Sequence, residues 1–274
     1  MTRGIPEQDW VSFLQWALPQ LRFRWRGFRN VRKQVIKRVR RRMGELNLTD
    51  LAAYREHLAV TPNEWIVLDK CCRISISRFR RDRAVFDLLR DEVLPRFTEG
   101  EERVAMWCAG CASGEEPYSL ALCWQLDVAQ PDQESVLDIL ATDADASLLA
   151  RAREARYAAG TLKEIPRHWF DAFDRVDDMY VLREQHRGPV RFRQSDIRDE
   201  MPEGKFRLIA CRNLAFTYFE EALQHRVLDS LAQRLSPGGV LVLGNHEQLP
   251  DGQGLFDDMR RGIPVFVRRS APGG

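Results

Sequence analysis

The sequence predicts an α/β chain in which an all-helical, basic N-terminal region precedes a mostly parallel, doubly wound sheet. Three observations carry this. Up to about residue 95 the apolar positions recur at helical spacing and no strand pattern is seen. From about residue 103, short apolar runs alternate with amphipathic stretches: Val104–Ala109, Val136–Thr142, Leu208–Cys211 and Val240–Gly244. That alternation is the pattern of βα units on a parallel sheet. Finally, 274 residues of which 44% are hydrophobic and 30% charged can bury a core without disulfide or metal. The expected domains are residues 1–95 and 96–274.

The first helix is expected over Trp10–Leu18. Thr49 and Asp50 can cap a helix running through Leu58, and Pro62 can open the next. Between these lies the charged part of the chain. Lys and Arg total 42 against 40 acidic residues, a net charge of only +2, so any basic signal is local. It is found in RFRWRGFRNVRKQVIKRVRRR, Arg22–Arg42, which has no acidic residue. Phe28, Val31, Val35 and Val39 fall on one helical stripe, leaving Arg32, Lys33, Lys37, Arg38, Arg40 and Arg41 to face outward. Such a face is either simply solvated or an electrostatic footprint for an acidic protein helix or nucleic acid. Within the sheet domain, RVDDMYVLREQHRGPVRFRQ at 175–194 reads as an inserted β-hairpin turning at Arg187-Gly188-Pro189.

No run of eighteen apolar residues is present, and MTRGIPEQDW lacks the apolar stretch of a signal peptide, so a cytoplasmic location is expected. The six cysteines, Cys71, Cys72, Cys108, Cys111, Cys123 and Cys211, then read as reduced thiols. Cys108 and Cys111 have CxxC spacing, but the five histidines offer no second ligand pair, and no metal site is expected.

The most informative segment is VAMWCAGCASGEEPYSLALCWQL, 104–126. A buried strand ends at Ala109 and turns through Gly110 and Gly114 into a helix with acidic residues in its first turn. A turn of this kind lets a ligand approach the backbone. GxGxxG and a Walker lysine are both absent, which argues against a phosphate site. The next strand ends in ATDAD, placing Asp143 where an acid can bind ribose hydroxyls. A nucleoside ligand without a demanding phosphate fits, and S-adenosylmethionine is such a ligand.

These segments resemble the CheR-type chemotaxis receptor methyltransferases over nearly the whole chain. The most specific block is ASGEEPYSLAL at 112–122. ISISRFRRDRAVFDLL at 74–89, ATDAD at 141–145, ARYAAGTLKEIP at 155–166, ACRNLAFTYF at 210–219 and LSPGGVLVLGNHE at 235–247 support it in order. The resemblance implies a class I, Rossmann-like S-adenosylmethionine-dependent methyltransferase domain behind an all-α N-terminal domain, methylating glutamate side chains of a chemoreceptor. It also implies that the inserted β-element can hold a receptor peptide by strand addition. By position it places Ser75, Ser77, Arg81, Ala109, Gly110, Glu116, Asp143, Asp196, Ile197, Arg212 and Asn213 around the cofactor, with Arg81 and Tyr218 orienting the acceptor oxygen. Standing alone, Glu116 and Asp143 also read as helix-start and strand-end caps, and Arg81 as an ion-pair partner of Glu116.

The departures from the family pattern are specific. Ser75 and Ser77 stand where the family has Asn and Thr, Arg80 where it has a second aromatic, and Asp196 where it often has Asn. The CRN loop is one residue longer, and Asn245-His246-Glu247 replaces HSE. The chemistry itself asks for no general base, because a carboxylate is already nucleophilic at neutral pH; alignment and water exclusion suffice. A small-molecule or other protein acceptor, or an RNA methyltransferase or cofactor-sensing module, stay open, although Arg212-Asn213-Leu214-Ala215 stands where amino-group methyltransferases carry an N/D-PP-[YF] tetrapeptide.

Overall fold

The computed structural model describes residues 5–98, 103–129, 136–250 and 254–269. These form two units: residues 5–74 with Thr217–Gln224, and Ser75–Phe216 with the chain from His225 onward.

The first unit is helical. It comprises α1 (Glu7–Gln20), α2 (Trp25–Phe28), α3 (Arg32–Glu45), α4 (Leu51–Val60) and α5 (Pro62–Cys72). The Asp50 carboxylate caps α4 by accepting from the Ala53 N–H at 2.9 Å, and Pro62 occupies the first turn of α5, as the sequence predicts. Trp10, Phe13, Leu14 and Leu18 of α1 are buried with Val35, Val39 and Met43 of α3 and Tyr54 and Leu58 of α4. Each such side chain contributes about 1.5–3 kcal/mol on leaving water. Residues 217–224 belong to this unit because they are tied to the chain before α2. Phe23 and Phe219 form an isolated antiparallel bridge, Arg24 donates to the Thr217 and Tyr218 carbonyls, and the Phe28 and Tyr218 rings lie 5.0 Å apart.

The apolar stripe of α3 falls where expected, but two of its six basic residues do not simply face outward. Arg32 pairs with Glu7 at 2.7 Å, and Arg38 donates to the Cys71 and Arg73 carbonyls. A guanidinium long enough to reach a neighbouring helix end satisfies carbonyls there instead of remaining in water. Lys33, Lys37, Arg40 and Arg41 are exposed, Arg40 lying over the Trp10 ring.

The second unit opens with the segment from Ser75 and α6 (Arg83–Leu88), which continues in wider and then tighter turns to Phe97. The boundary expected at residue 95 therefore lies at 74/75. Phe79, Val85, Phe86, Leu89, Val93 and Phe97 are buried in one core with Val104, Met106 and Leu208 of the sheet, so this segment packs as part of the sheet domain.

The sheet follows through β1 (Arg103–Ala109), α7 (Glu115–Leu122, continuing to Val128), β2 (Val136–Asp143), α8 (Ala146–Glu154), β3 (Arg156–Ala158), β4 (Phe173–Val176), β5 (Met179–Leu182), β6 (Val190–Gln194) and β7 (Phe206–Ala210). After α9 (Ala215–Tyr218) and α10 (Glu221–Arg234) come β8 (Leu235–Val242), β9 (Phe256–Arg260) and β10 (Ile263–Arg268). The seven-stranded order is β6-β2-β1-β7-β8-β10-β9; the first five strands are parallel, and β10 and β9 antiparallel. β1 is an interior strand, flanked by β2 and β7, which is why Val104, Met106, Trp107 and Cys108 read as an unbroken apolar run. The Trp107 indole is buried and donates to Thr142 Oγ1 at 2.9 Å, fixing the register of β1 on β2.

The inserted hairpin exists, but β4 and β5 turn at Asp177-Asp178, with Asp177 at φ +55°. Together with β3 they form a separate three-stranded sheet, β3-β5-β4. Arg187-Gly188-Pro189 instead leads into β6, an edge strand of the main sheet, because the Ile139 N–H pairs with the Pro189 carbonyl and draws this stretch along β2.

One buried ionic group in the helical unit allows a test. The Glu64 carboxylate, 2% exposed, accepts from Arg42 at 3.0 and 2.8 Å and from the Tyr54 hydroxyl at 3.0 Å. Burial pushes its carboxyl up, but the Arg42 and Tyr54 hydrogen bonds outweigh that and hold it below its ordinary value. A depressed carboxylate contributes stability above its unfolded value that is lost as pH falls through the folded one. Glu64→Gln is expected to cost about 3 kcal/mol at pH 7. In urea titrations the gap from wild type should narrow below the ordinary carboxylate range.

Candidate cofactor and methyl-transfer site

The site is built on the carboxyl ends of β1, β2 and β7. After Ala109 the chain turns through Gly110 at φ +74° and Ala112 at φ +48°, and Gly114 at φ +91° opens α7. The Gly110 and Cys111 N–H groups both donate to the Thr142 carbonyl, at 2.8 and 2.9 Å, so the turn is sewn to the end of β2. Gly110 takes its positive φ without strain, and a Cβ there would stand 2.6 Å from Leu214 Cδ2, so a larger residue would be strained in its backbone and would have to displace that leucine side chain. Asp143 is fixed beside it, one oxygen accepting from the Ala112 N–H and the other from the Asp145 N–H, each at 2.9 Å. The Ser195 N–H donates to the Asp143 carbonyl at 3.0 Å, which brings Asp196 and the buried Ile197 to the same strand ends. The Asp196 carboxylate is held by Arg198, at 2.9 and 2.6 Å.

The two glutamates at the start of α7 have separate environments. Glu115 is buried, accepting from Ser113 Oγ at 3.0 Å and from the Ser77 hydroxyl, and burial pushes its carboxyl up. Ser77 is thereby pinned to the helix start, while Ser75 is half-buried at the beginning of the same segment. The Glu116 side chain is 18% exposed and lies 3.6 Å from Arg212. Its carboxyl is also raised by burial, with Arg212 and Arg81 opposing.

Arg212 is a buried cation, its side chain 3% exposed. It donates to Asp82 Oδ2 at 2.7 Å, to the Arg81 carbonyl at 2.8 Å and to the Leu243 carbonyl at 3.3 Å. Arg81 does not take the Glu116 partnership the sequence allowed, which Arg212 occupies. Its guanidinium is held by the Ile76 carbonyl at 3.0 Å and Asn213 Oδ1 at 3.1 Å. Arg80, Asp82 and Asn213 all have positive φ, at 48°, 65° and 53°. Left-handed backbone at residues other than glycine costs energy and persists only where surrounding bonds impose it. Here the Arg80 N–H is held by Ser119 Oγ at 2.9 Å, and Asp82 by Arg212.

The structure thus brings Gly110, Asp143, Asp196 and Ile197 into one cluster of strand ends, and Arg81, Glu116, Arg212 and Asn213 into a connected network. Tyr218 falls in the helical unit, where its ring packs on Phe28. Sequence reading did not single out Asp82, Glu115 or Glu247 as parts of this machinery; the acids beside RDR, GEE and NHE were the available signal. The cysteines of the region, Cys108, Cys111 and Cys211, are free and buried, and burial pushes all three thiols up. Among the described residues no cluster of His, Cys, Asp and Glu could hold a metal ion.

Carboxylates of Glu116 and Asp143 beside a close-approach glycine turn suit a ligand bearing ribose hydroxyls and an ammonium group, and repel a phosphate. A central β1 with the glycine turn, a parallel sheet and an antiparallel terminal pair, carrying this set, define a class I S-adenosylmethionine-dependent methyltransferase. Residues 75–263 match the family model "CheR methyltransferase, SAM binding domain". The chain belongs to the CheR methyltransferase family. It is 36% identical over 195 residues to a chemotaxis protein methyltransferase of Listeria monocytogenes, covering 70% of this chain and 71% of that protein. It is 32% identical over 187 residues to a chemotaxis protein methyltransferase of Vibrio parahaemolyticus, covering 66% and 67%. The S-adenosylmethionine-bound amino pentose methyltransferase CalS10 from Micromonospora superposes with a TM-score of 0.35 at 17% identity, covering 59% of this chain and 49% of that one.

Glu116→Gln should weaken S-adenosylmethionine binding, measured by calorimetry, by about 1–3 kcal/mol through loss of a charge-assisted bond.

Proposed function

We propose that the chain O-methylates glutamate carboxylates of an acidic protein helix such as that of a chemoreceptor. The observation that carries the reading furthest is the fixing of Arg81. Two of the five N–H donors of its guanidinium are taken by Ile76 and Asn213, which set its plane and leave donors for an acceptor carboxylate. The names of the relatives, chemotaxis protein methyltransferases, support a receptor as acceptor.

S-adenosylmethionine, when bound, supplies a methyl group activated on a sulfonium. Glu116 is suited to hold its ammonium group and Asp143 its ribose, with Ser75, Ser77, Ala109, Gly110, Asp196, Ile197, Arg212 and Asn213 completing the pocket. That methyl group would pass to the acceptor oxygen with cleavage of its bond to sulfur, so that the negative and positive charges cancel and no proton need move. What the chain contributes is alignment and exclusion of water. Arg81 orients the acceptor, and Tyr218 is assigned the same task on the sequence resemblance. With the purified cytoplasmic part of a chemoreceptor and labelled cofactor, the label should enter glutamate and be released by mild base; base-stable label overturns the ester reading. Arg81→Ala and Tyr218→Phe should each lower turnover about 10-fold or more while cofactor affinity changes by less than about 3-fold.

The partner surface proposed is the exposed basic stripe of α3, with the enzyme acting on the cytoplasmic side. Among the described residues no helix is long and apolar enough to cross a membrane. Lys33, Lys37 and Arg41 follow one another at intervals of four residues, all exposed. Exposed pairs are worth only about 0.2–1 kcal/mol each, so they act together and mainly on encounter rate. Reversing all three to Glu should raise the KM for the protein acceptor at low salt, spare cofactor affinity, and lose its effect above about 0.15 M salt. Retardation of RNA by the wild-type protein with a steep salt slope would favour a nucleic-acid partner instead.

A further inference from the structure

The Glu247 side chain lies outside the cofactor-contacting set, yet it is 4% exposed and carries an unusual load of contacts. Its Oε2 accepts from the Asn213 N–H at 2.6 Å and from the Gly244 N–H at 2.8 Å, and its Oε1 from the Leu214 N–H at 3.1 Å. The carboxylate is brought there by the tight turn after β8, closed by the Glu247 N–H on the Gly244 carbonyl at 2.9 Å. It thus ties the ends of two adjacent parallel strands, β7 and β8, at a point where neither ladder continues.

We propose that Glu247 is a positioning residue for the cofactor site, holding the Arg212-Asn213-Leu214 turn in the left-handed conformation that presents Asn213. Three amides converging on one anion is an arrangement a neutral side chain cannot replace, since a carboxamide turns an N–H toward one of the donors. The opposite wall is Gly244: a Cβ there would stand 2.7–2.8 Å from the Asn213 carboxamide atoms. Asn213 is therefore gripped by its backbone on one side and by the absence of a side chain on the other. Its Oδ1 in turn receives Arg81. Displacing this one turn alters both a pocket residue and the support of the guanidinium.

The inference rests on Asn213 lining the cofactor pocket, and the test separates the two. Affinity for S-adenosylhomocysteine is measured by calorimetry on the full chain in wild type, Glu247→Gln, Asn213→Ala and the double variant. Glu247→Gln is expected to weaken binding about 5-fold or more on its own and less than about 2-fold once Asn213 is alanine. A full additional loss in the double variant overturns the inference while leaving Asn213 in the pocket. If Asn213→Ala binds as wild type does, the pocket assignment falls, and the inference with it. Should Glu247→Gln fail to fold, Gly244→Ala keeps the carboxylate and pushes Asn213 aside. It is expected to reproduce the loss of affinity, and a folded Gly244→Ala of wild-type affinity overturns the inference.

Discussion

The site depends on the burial of one cation. A guanidinium removed from water is tolerated only when its donors are met, and breaking such an arrangement costs several kcal/mol because the remaining charge is stranded. Arg212 meets that demand with four groups from three separate stretches of the sheet domain: Asp82 and the adjoining Arg81 carbonyl, the Leu243 carbonyl and, at longer range, Glu116. The segment crossing before α6, the end of β7, the end of β8 and the start of α7 are thereby referred to one point. The left-handed backbone at Arg80, Asp82 and Asn213 is affordable in that setting, since each strained residue carries or adjoins a bond in the same network.

The same constraint explains how several acids come together here. Glu115, Glu116, Asp82 and Glu247 are divided among three kinds of donor: serine hydroxyls for Glu115, the Arg212 guanidinium for both Asp82 and Glu116, and backbone amides for Glu247. Glu116, its side chain 18% exposed, is the most open of the four.

Much of the scaffold was legible in the residues. The parallel strands announced themselves because an interior strand must be apolar on both faces, and the glycine turn because glycine takes positive φ without strain. Asp50 and Pro62 marked helix starts by local chemistry. The remainder depended on distant parts of the chain. The Asp177-Asp178 turn was missed because Arg187-Gly188-Pro189 has the stronger turn composition, yet pairing of Ile139 with Pro189 commits that stretch to the main sheet. The boundary at 74/75 was hidden because residues 75–97 are helical like those before them, and only their burial against the sheet assigns them. Arg32 and Arg38 looked solvent-facing because helical spacing does not reveal a carbonyl or carboxylate on the next helix. The role of Glu247 was invisible since nothing in NHE indicates which amides lie across the strand ends.

The buried thiols around the glycine turn and the β7 end have a chemical consequence. An activated methyl donor is an electrophile toward any good nucleophile, and a thiolate reacts with electrophiles far more readily than a carboxylate does. Cys111 lies in the turn itself, and Cys211 directly precedes Arg212. Their burial and raised thiol values keep them protonated at neutral pH. A thiol held protonated in this way is a poor nucleophile toward such a donor, and the same burial shields those sulfurs from oxidants.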